Sequence, residues 1–260
     1  MACEKPPMQG VPASLRRAFV APPGHKLIVS DLSQIEVRVM CALSGDEALR
    51  QKFITGEDIH EATAAKLLGK DPAEVTKEER KLSKALVFGL LYGQGLAGFA
   101  RRAETITGKP MTEDEVRLKF WEPFFELYPD VSRWRQNTIT NFNRGTRVSY
   151  TALGRRRLNL QTNRQALNSP IQGTAADVLK AIVVALYERR EEVPGLEIVG
   201  LVHDEVLCVV PEERADEAAA LVDRTMKEVG EEATNIGVDE DKRVPIDAGT
   251  QVCDSWAEKE

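Results

Sequence analysis

The chain lacks most of what a secreted, zinc-stapled or membrane-inserted protein needs. Its four cysteines stand apart at Cys3, Cys41, Cys208 and Cys253, with no CxxC and no Cys/His spacing. That leaves no disulfide framework and no zinc site, and points to a reduced compartment, the cytoplasm. The opening MACEKPPMQG has no apolar segment of the signal-peptide kind. No uninterrupted apolar run approaches the ~20 residues of a membrane span, so no membrane partner is expected. Internal repeats and low-complexity tracts are missing too. Acids are missing locally: Val131 to Arg164 holds eight arginines and no Asp or Glu, whereas Pro211 onward holds fifteen acids against six bases. The net charge of −6 averages over that segregation. An acid-free basic stretch is a candidate phosphate-contacting surface, and a solvated charged face accounts for it equally well.

What is present is ordinary in bulk. The 260 residues, 42% hydrophobic and 29% charged, fit one large globular domain or two small ones.

Two carboxylates stand out against that background. Asp31 follows KLIVS and Asp204 follows EIVGLV, each at the edge of a run that reads as a buried strand. A buried Asp needs a cation, a hydrogen-bond network or water. Two of them brought together by a sheet are one way of holding Mg²⁺. An Asp at a strand end is more often a turn or a cap, and that alternative stands at this point.

Between them lies TKEERKLSKALVFGLLYG, residues 76–93. Thr76 and Glu79 form a capping box that opens a helix to about Tyr92. Arg80, Lys84, Phe88 and Tyr92 recur every four residues and drift only ~40° per step, so they share one face ~18 Å long. Two cations followed by two aromatics suit a nucleoside triphosphate, phosphates at one end and base at the other. An amphipathic core helix with buried rings is the alternative. Gly93, Gly95 and Gly98 then read as a hinge or a close backbone approach.

The rest of the chain reads as follows. Residues 1–24 are extended and irregular, with LRRAFV and HKLIVSDL as two short strands joined by an APPG turn. Helices are expected from about Ile35, over 46–54 and 58–68, and over 112–144 with a break at Tyr128-Pro129. TRVSYTALGRRRLNL reads as a hairpin about Leu153-Gly154. A second four-residue ladder, Arg164, Asn168 and Gln172, opens the next helix; it suits sugar or minor-groove contacts, or a plain exposed face broken at Pro170. LEIVGLV and EVLCVVP form a hairpin with His203-Asp204 at its turn. A helix over about 216–229 and a strand near VPIDAGT close the chain.

On these residues the chain resembles family A DNA polymerases, the group of bacterial DNA polymerase I. DLSQIEVRVM resembles their motif A, RKLSKALVFGLLYG motif B and VHDEV motif C, in the family's order. The linking SGDEALRQKFITGEDIHEATAA, LGRRR, NSPIQGTAADVLK and DAGTQVCDSW agree as well. The resemblance implies that Asp31 and Asp204 hold two Mg²⁺ ions with the Leu32 carbonyl, and that Glu205 supports them. It implies that Arg80 and Lys84 grip the incoming dNTP, Lys84 also serving as proton donor to pyrophosphate, with His60 as a further phosphate contact. Phe88 would pack on the sugar, in the form that discriminates against chain terminators, and Tyr92 would stack beside the templating site. Glu36 would crowd the 2′ position, with Gln34 beside it among the nucleotide contacts. Arg164, Asn168, Gln172 and His203 would follow the primer-template.

Three departures are visible. PPMQGVP resembles the end of the motif just before motif A, so the chain opens in mid-palm by this comparison, without thumb, exonuclease domain or one minor-groove arginine. The stretch from Arg157 to Arg164 is shorter than usual, and Leu32 replaces a Tyr. The expectation is an α+β protein: an antiparallel palm sheet with an inserted helical fingers lobe. Its parts are palm over 1–43, fingers over 44–162 and palm again over 163–260. The function implied is template-directed DNA synthesis with Mg²⁺, dNTPs and primer-template DNA. The alternatives are a non-catalytic nucleic-acid or dNTP-binding fragment, and one half of a split polymerase whose partner chain bears the thumb.

Overall fold

The computed structural model describes residues 8–259; Cys3 and the first seven residues of the expected irregular start lie outside them. In chain order the main elements are α1 (Ala13–Arg16), β1 (His25–Leu32), α2 (Ile35–Ser44), α3 (Glu47–Thr55) and α4 (Ile59–Leu68). Then come α5 (Lys77–Leu91), α6 (Leu96–Thr107), α7 (Glu113–Val116), a π-helical turn (Arg117–Trp121), α8 (Glu122–Leu127) and α9 (Pro129–Asn143). They are followed by β2 (Ser149–Tyr150), β3 (Arg156–Arg157), α10 (Asn163–Arg189), β4 (Glu197–Val202), β5 (Glu205–Pro211), α11 (Ala215–Thr234) and β6 (Ala248–Cys253). The chain divides into two compact units: unit 1 runs up to Ile35, over Ala175–Thr234 and from Pro245 onward; unit 2 is Glu36–Thr174 with Asn235–Val244.

Unit 1 is built on an antiparallel sheet in the order β4-β5-β1-β6. β1 alternates strictly. Leu27 and Val29 join Val202, Leu207, Cys253 and Trp256 in one apolar cluster, while Ile28 and Leu32, both buried, point to the other face. α11 packs on β1 and β6, and its Ala218, Leu221, Val222 and Met226 are buried. It comes so close that a Cβ on Gly230 would stand 3.1 Å from Ile246. The register pairs Asp31 with Glu205, which fixes the carboxylates on the face shared with Leu27, Val29 and Trp256.

Unit 2 is helical, and side chains cap the starts of α3, α4 and α5, the last by the box expected from Thr76 and Glu79. Asp46 caps α3 through Leu49 N–H, and its other oxygen accepts from Asp130 and Val131 at the start of α9. Asp58 caps α4, and Thr76 with Glu79 completes a capping box on α5. The break at Tyr128 is held by its buried hydroxyl, 2.8 Å from Thr63 Oγ1. The expected hairpin is present, with Gly154 at positive φ and only two residues per strand.

Three expectations are corrected. LRRAFV is not a strand: Pro12 opens the single helical turn α1, Leu and Arg favour it, and only Val20 bridges, to Ser255. The last strand begins at Ala248, not Val244, because the Asn235 side chain takes both the N–H and the carbonyl of Val244, at 2.8 and 2.9 Å. Pro170 does not end its helix: α10 runs 27 residues through it. A proline deletes one N–H, and the burial of Ala166, Leu167 and Ile171 around it offsets that loss. That helix also corrects the reading of hydropathy. By length and composition alone it is long and apolar enough to cross a membrane. A count of uninterrupted apolar residues misses it because polar residues interrupt the stretch. Ile171, Val178, Leu179, Ile182 and Leu186 are all buried in the fold, as in the core helix of a globular protein.

Candidate active site

In unit 1 the carboxylates gather at one end of the sheet. Val202 pairs with Glu205, so His203 and Asp204 form a two-residue hairpin turn. His203 takes the positive φ, 62°, that such turns usually give to glycine. Leu32 N–H donates to the Asp204 carbonyl at 3.2 Å, which brings the turn beside Asp31. The Asp31 and Asp204 side chains are each about a third exposed, and His203 Nδ1 lies 3.1 Å from Asp204 Oδ1. Gly249 backs Asp31; a Cβ there would be 3.1 Å from Asp31 Oδ1. Gln34, at φ 55°, has a buried, unpartnered Oε1.

Glu205 is different: it is buried and both its oxygens are engaged. The Trp256 indole donates to Oε1 at 2.5 Å, and the Lys259 ammonium donates to Oε2. Lys259 also donates to Asp31 Oδ2 at 2.7 Å. Burial lowers the Lys259 pKa, but hydrogen bonds to Asp31 and Glu205 outweigh it and raise the ammonium above its ordinary value.

Among the described residues no three His, Cys, Asp or Glu side chains converge as a metal cluster. The donors nevertheless fit a hard divalent ion, which takes one or two carboxylates and completes its shell with carbonyls, phosphates and water. A cation, the Lys259 ammonium, already finds Asp31 favourable.

In unit 2 the helix α5 buries Leu82, Ala85, Leu86, Leu90 and Leu91. It leaves Lys84 exposed and Arg80, Phe88 and Tyr92 half-buried. The core-helix alternative required the rings inside. Instead they line up: Phe88 and Tyr92 centroids are 6.0 Å apart, His60 and Phe88 5.8 Å, and Lys84 Nζ lies 5.9 Å from the Phe88 ring. The Arg80 fork holds Asp58 Oδ2 at 3.0 and 2.6 Å. Burial pulls His60 down to about 4, against the raising pull of Asp58, so its ring is neutral near pH 7, with Nδ1 buried and unpartnered.

Tyr92 ties three motifs together. Its hydroxyl donates to the buried Glu36 carboxylate, and its carbonyl accepts from Arg164 Nε at 3.1 Å. In the second ladder Asn168 donates to Gln172 at 2.8 Å, and Arg164 and Gln172 are exposed. Seven of the eight arginines between Val131 and Arg164 are exposed, Arg135 being half-buried.

Sequence reasoning missed Lys259, Trp256 and the second role of Asp58. Asp58 is visible as a cap but not as the partner of Arg80, 22 residues on. Lys259 meets Asp31 across 228 residues, where spacing carries no signal.

An antiparallel sheet with paired carboxylates, in a chain that also carries a helix of cations and rings, defines the class: an α+β protein with a carboxylate-bearing sheet. The chain belongs to DNA polymerase family A, whose sequence pattern matches residues 1–258. The thermostable DNA polymerase I of Thermus filiformis is 36% identical over 274 residues, covering 99% of this chain and 31% of that protein. DNA polymerase I of Aquifex aeolicus is 32% identical, covering 98% and 43%. The solved POL domain of Pol1 from M. smegmatis, in complex with DNA primer-template and dNTP, superposes at TM-score 0.82 with 29% identity, covering 97% of this chain and 45% of that one. The chain thus spans less than half the length of each of these.

Proposed function

We propose that this chain carries the nucleotidyl-transfer chemistry of a template-directed DNA polymerase, taking dNTPs and primer-template DNA in the cytoplasm. The observation that carries the reading is the gathering of Asp31, Asp204 and Glu205 at one sheet end, in a chain matched to family A over residues 1–258. Residues 1–43 and 163–260 are read as palm and 44–162 as fingers. Asp31, Asp204 and the Leu32 carbonyl would hold two Mg²⁺ ions, which, when bound, lower the pKa of a primer 3′-OH and offset charge on the transferred phosphoryl group.

The chain's own groups do the rest in this reading. Glu205, saturated by Trp256 and Lys259, orients its neighbours rather than ligating. Exposed Lys84 offers an ammonium to the triphosphate and a proton to departing pyrophosphate. Arg80 contributes after giving up part of its hold on Asp58. His60, neutral, offers a hydrogen bond, not a charge. Phe88 packs on the sugar, Tyr92 stacks beside the template base, and Glu36, fixed by the Tyr92 hydroxyl, rejects a 2′-OH by crowding, with Gln34 beside it. Arg164, Asn168, Gln172 and His203 follow the primer-template through polar contacts that report shape rather than sequence.

Primer extension with Mg²⁺ and dNTPs tests this. Asp204→Ala and Asp31→Ala should lower incorporation at least ~1000-fold, about 4 kcal/mol of barrier, with unchanged circular dichroism. Retained activity in either folded variant would remove the metal assignment.

One observation favours a second reading, in which a thumb-bearing partner chain completes the enzyme. Beside the edge strand β4 lies an apolar groove of about 560 Å³, lined by Phe19, Val20, Val199, Leu201 and Leu207. Extension by this chain alone would argue against that requirement.

A further inference from the structure

The pairing of Asp31 with Glu205 sets two carboxylates directly opposite on the same sheet face, an arrangement that is destabilising when nothing lies between them. Glu205 is buried besides, and a buried carboxylate needs compensation. Lys259 supplies it to both, through Asp31 Oδ2 at 2.7 Å and Glu205 Oε2. The segment that presents this ammonium is built, not loose. Trp256 is fully buried, its backbone N–H bonds Phe19 O at 2.9 Å, its ring meets Phe19 edge-on at 5.4 Å and carries the Arg16 guanidinium at 4.4 Å. Ser255 caps the 3-10 turn Trp256–Glu258, and Asp254 is tied to Lys26 at 2.6 Å. The Lys259 side chain is only 14% exposed.

We propose that Lys259 is the resident counter-ion of the Asp31–Glu205 pair, a positioning residue that holds Asp31 in place before a divalent ion arrives and competes with that ion for Asp31. It thereby sets the metal concentration at which the site fills. This rests on the metal reading of Asp31 and Asp204. Three carboxylates and one ammonium leave two negative charges at the site; without Lys259 three would remain, and a divalent ion would be drawn in more strongly.

The test is Mn²⁺ binding to the whole chain, followed by the electron paramagnetic resonance of free Mn²⁺, with thermal melting in parallel. Lys259→Met should bind Mn²⁺ about tenfold more tightly, ~1.4 kcal/mol. It should melt below the parent in chelator, with the gap closing as Mn²⁺ is added. Lys259→Arg should bind as the parent does. Unchanged or weaker Mn²⁺ affinity in Lys259→Met overturns the proposal. Should that variant not fold, Lys259→Gln, which keeps a donor and removes the charge, carries the same expectation and the same refutation. Asp31→Asn and Asp204→Asn separate the two readings. If neither weakens Mn²⁺ binding, the metal reading itself fails, and the proposal with it. If both weaken it while Lys259→Met changes nothing, the counter-ion role alone is lost.

Discussion

His60 sits among the cations and rings of α5, 5.8 Å from the Phe88 ring, and carries no charge near pH 7. Burial pulls its pKa down to about 4, against the raising pull of Asp58, and Lys84 and Arg80 push it the same way as burial. The consequence for stability has a definite sign. The unfolded imidazole titrates near 6.5, so it takes up its proton first as pH falls. The stabilisation from a neutral His60 is complete above that value and is lost progressively toward pH 4. Asp58, whose carboxyl is held low by its bonds to Arg80 and to Glu61 N–H against desolvation that raises it, adds a loss of the same sign at lower pH. Urea unfolding at pH 7 and pH 4.5 should show the parent losing roughly 2 kcal/mol more than His60→Phe; equal losses would contradict the assignment. The Asp31, Asp204 and Tyr92 positions stand in chemically telling local contexts and could be singled out from them. Lys259 could not, because a lysine after the last strand looks like any solvated charge until the fold lays it across two carboxylates.

At the scale of elements, the local signals were good wherever short-range physics decides. The capping box on α5, the Asp caps on α3 and α4 and the break at Tyr128 all follow from a few adjacent residues. The misplacements arose where a distant group took over: the Asn235 side chain occupying Val244, or packing carrying α10 through Pro170. Gly93 lies at such a junction. Its φ is +66°, and a Cβ would stand 3.0 Å from the Arg164 Cα in α10, so both the backbone conformation and the close approach require glycine. Gly93→Ala should cost at least ~1–2 kcal/mol, read as a lower urea midpoint. Gly95→Ala, with nothing within 4 Å and no positive φ, should come within about 0.5 kcal/mol of the parent. Equal midpoints for the two variants would refute the argument.

The whole molecule carries its charge unevenly, and that matters more than its net value. The exposed arginines between Arg133 and Arg164 sit in an acidic chain, so binding to duplex DNA should fall steeply with salt. If Arg144 and Arg156 contact phosphates, replacing either by Ala should lower the slope of log K against log salt by about 0.9. Slopes unchanged in both would leave the basic stretch as a solvated face. Composition alone could not choose between these readings, because −6 is a sum and binding responds to its distribution.

The most direct test of the polymerase reading uses four templates differing in the first unpaired base, each given one dNTP at a time with Mg²⁺ and a short primer, beside Asp204→Ala. The account predicts that the chain adds only the complementary nucleotide on each template and that Asp204→Ala adds none. Addition that ignores the template base, or equal addition by the variant, would contradict it.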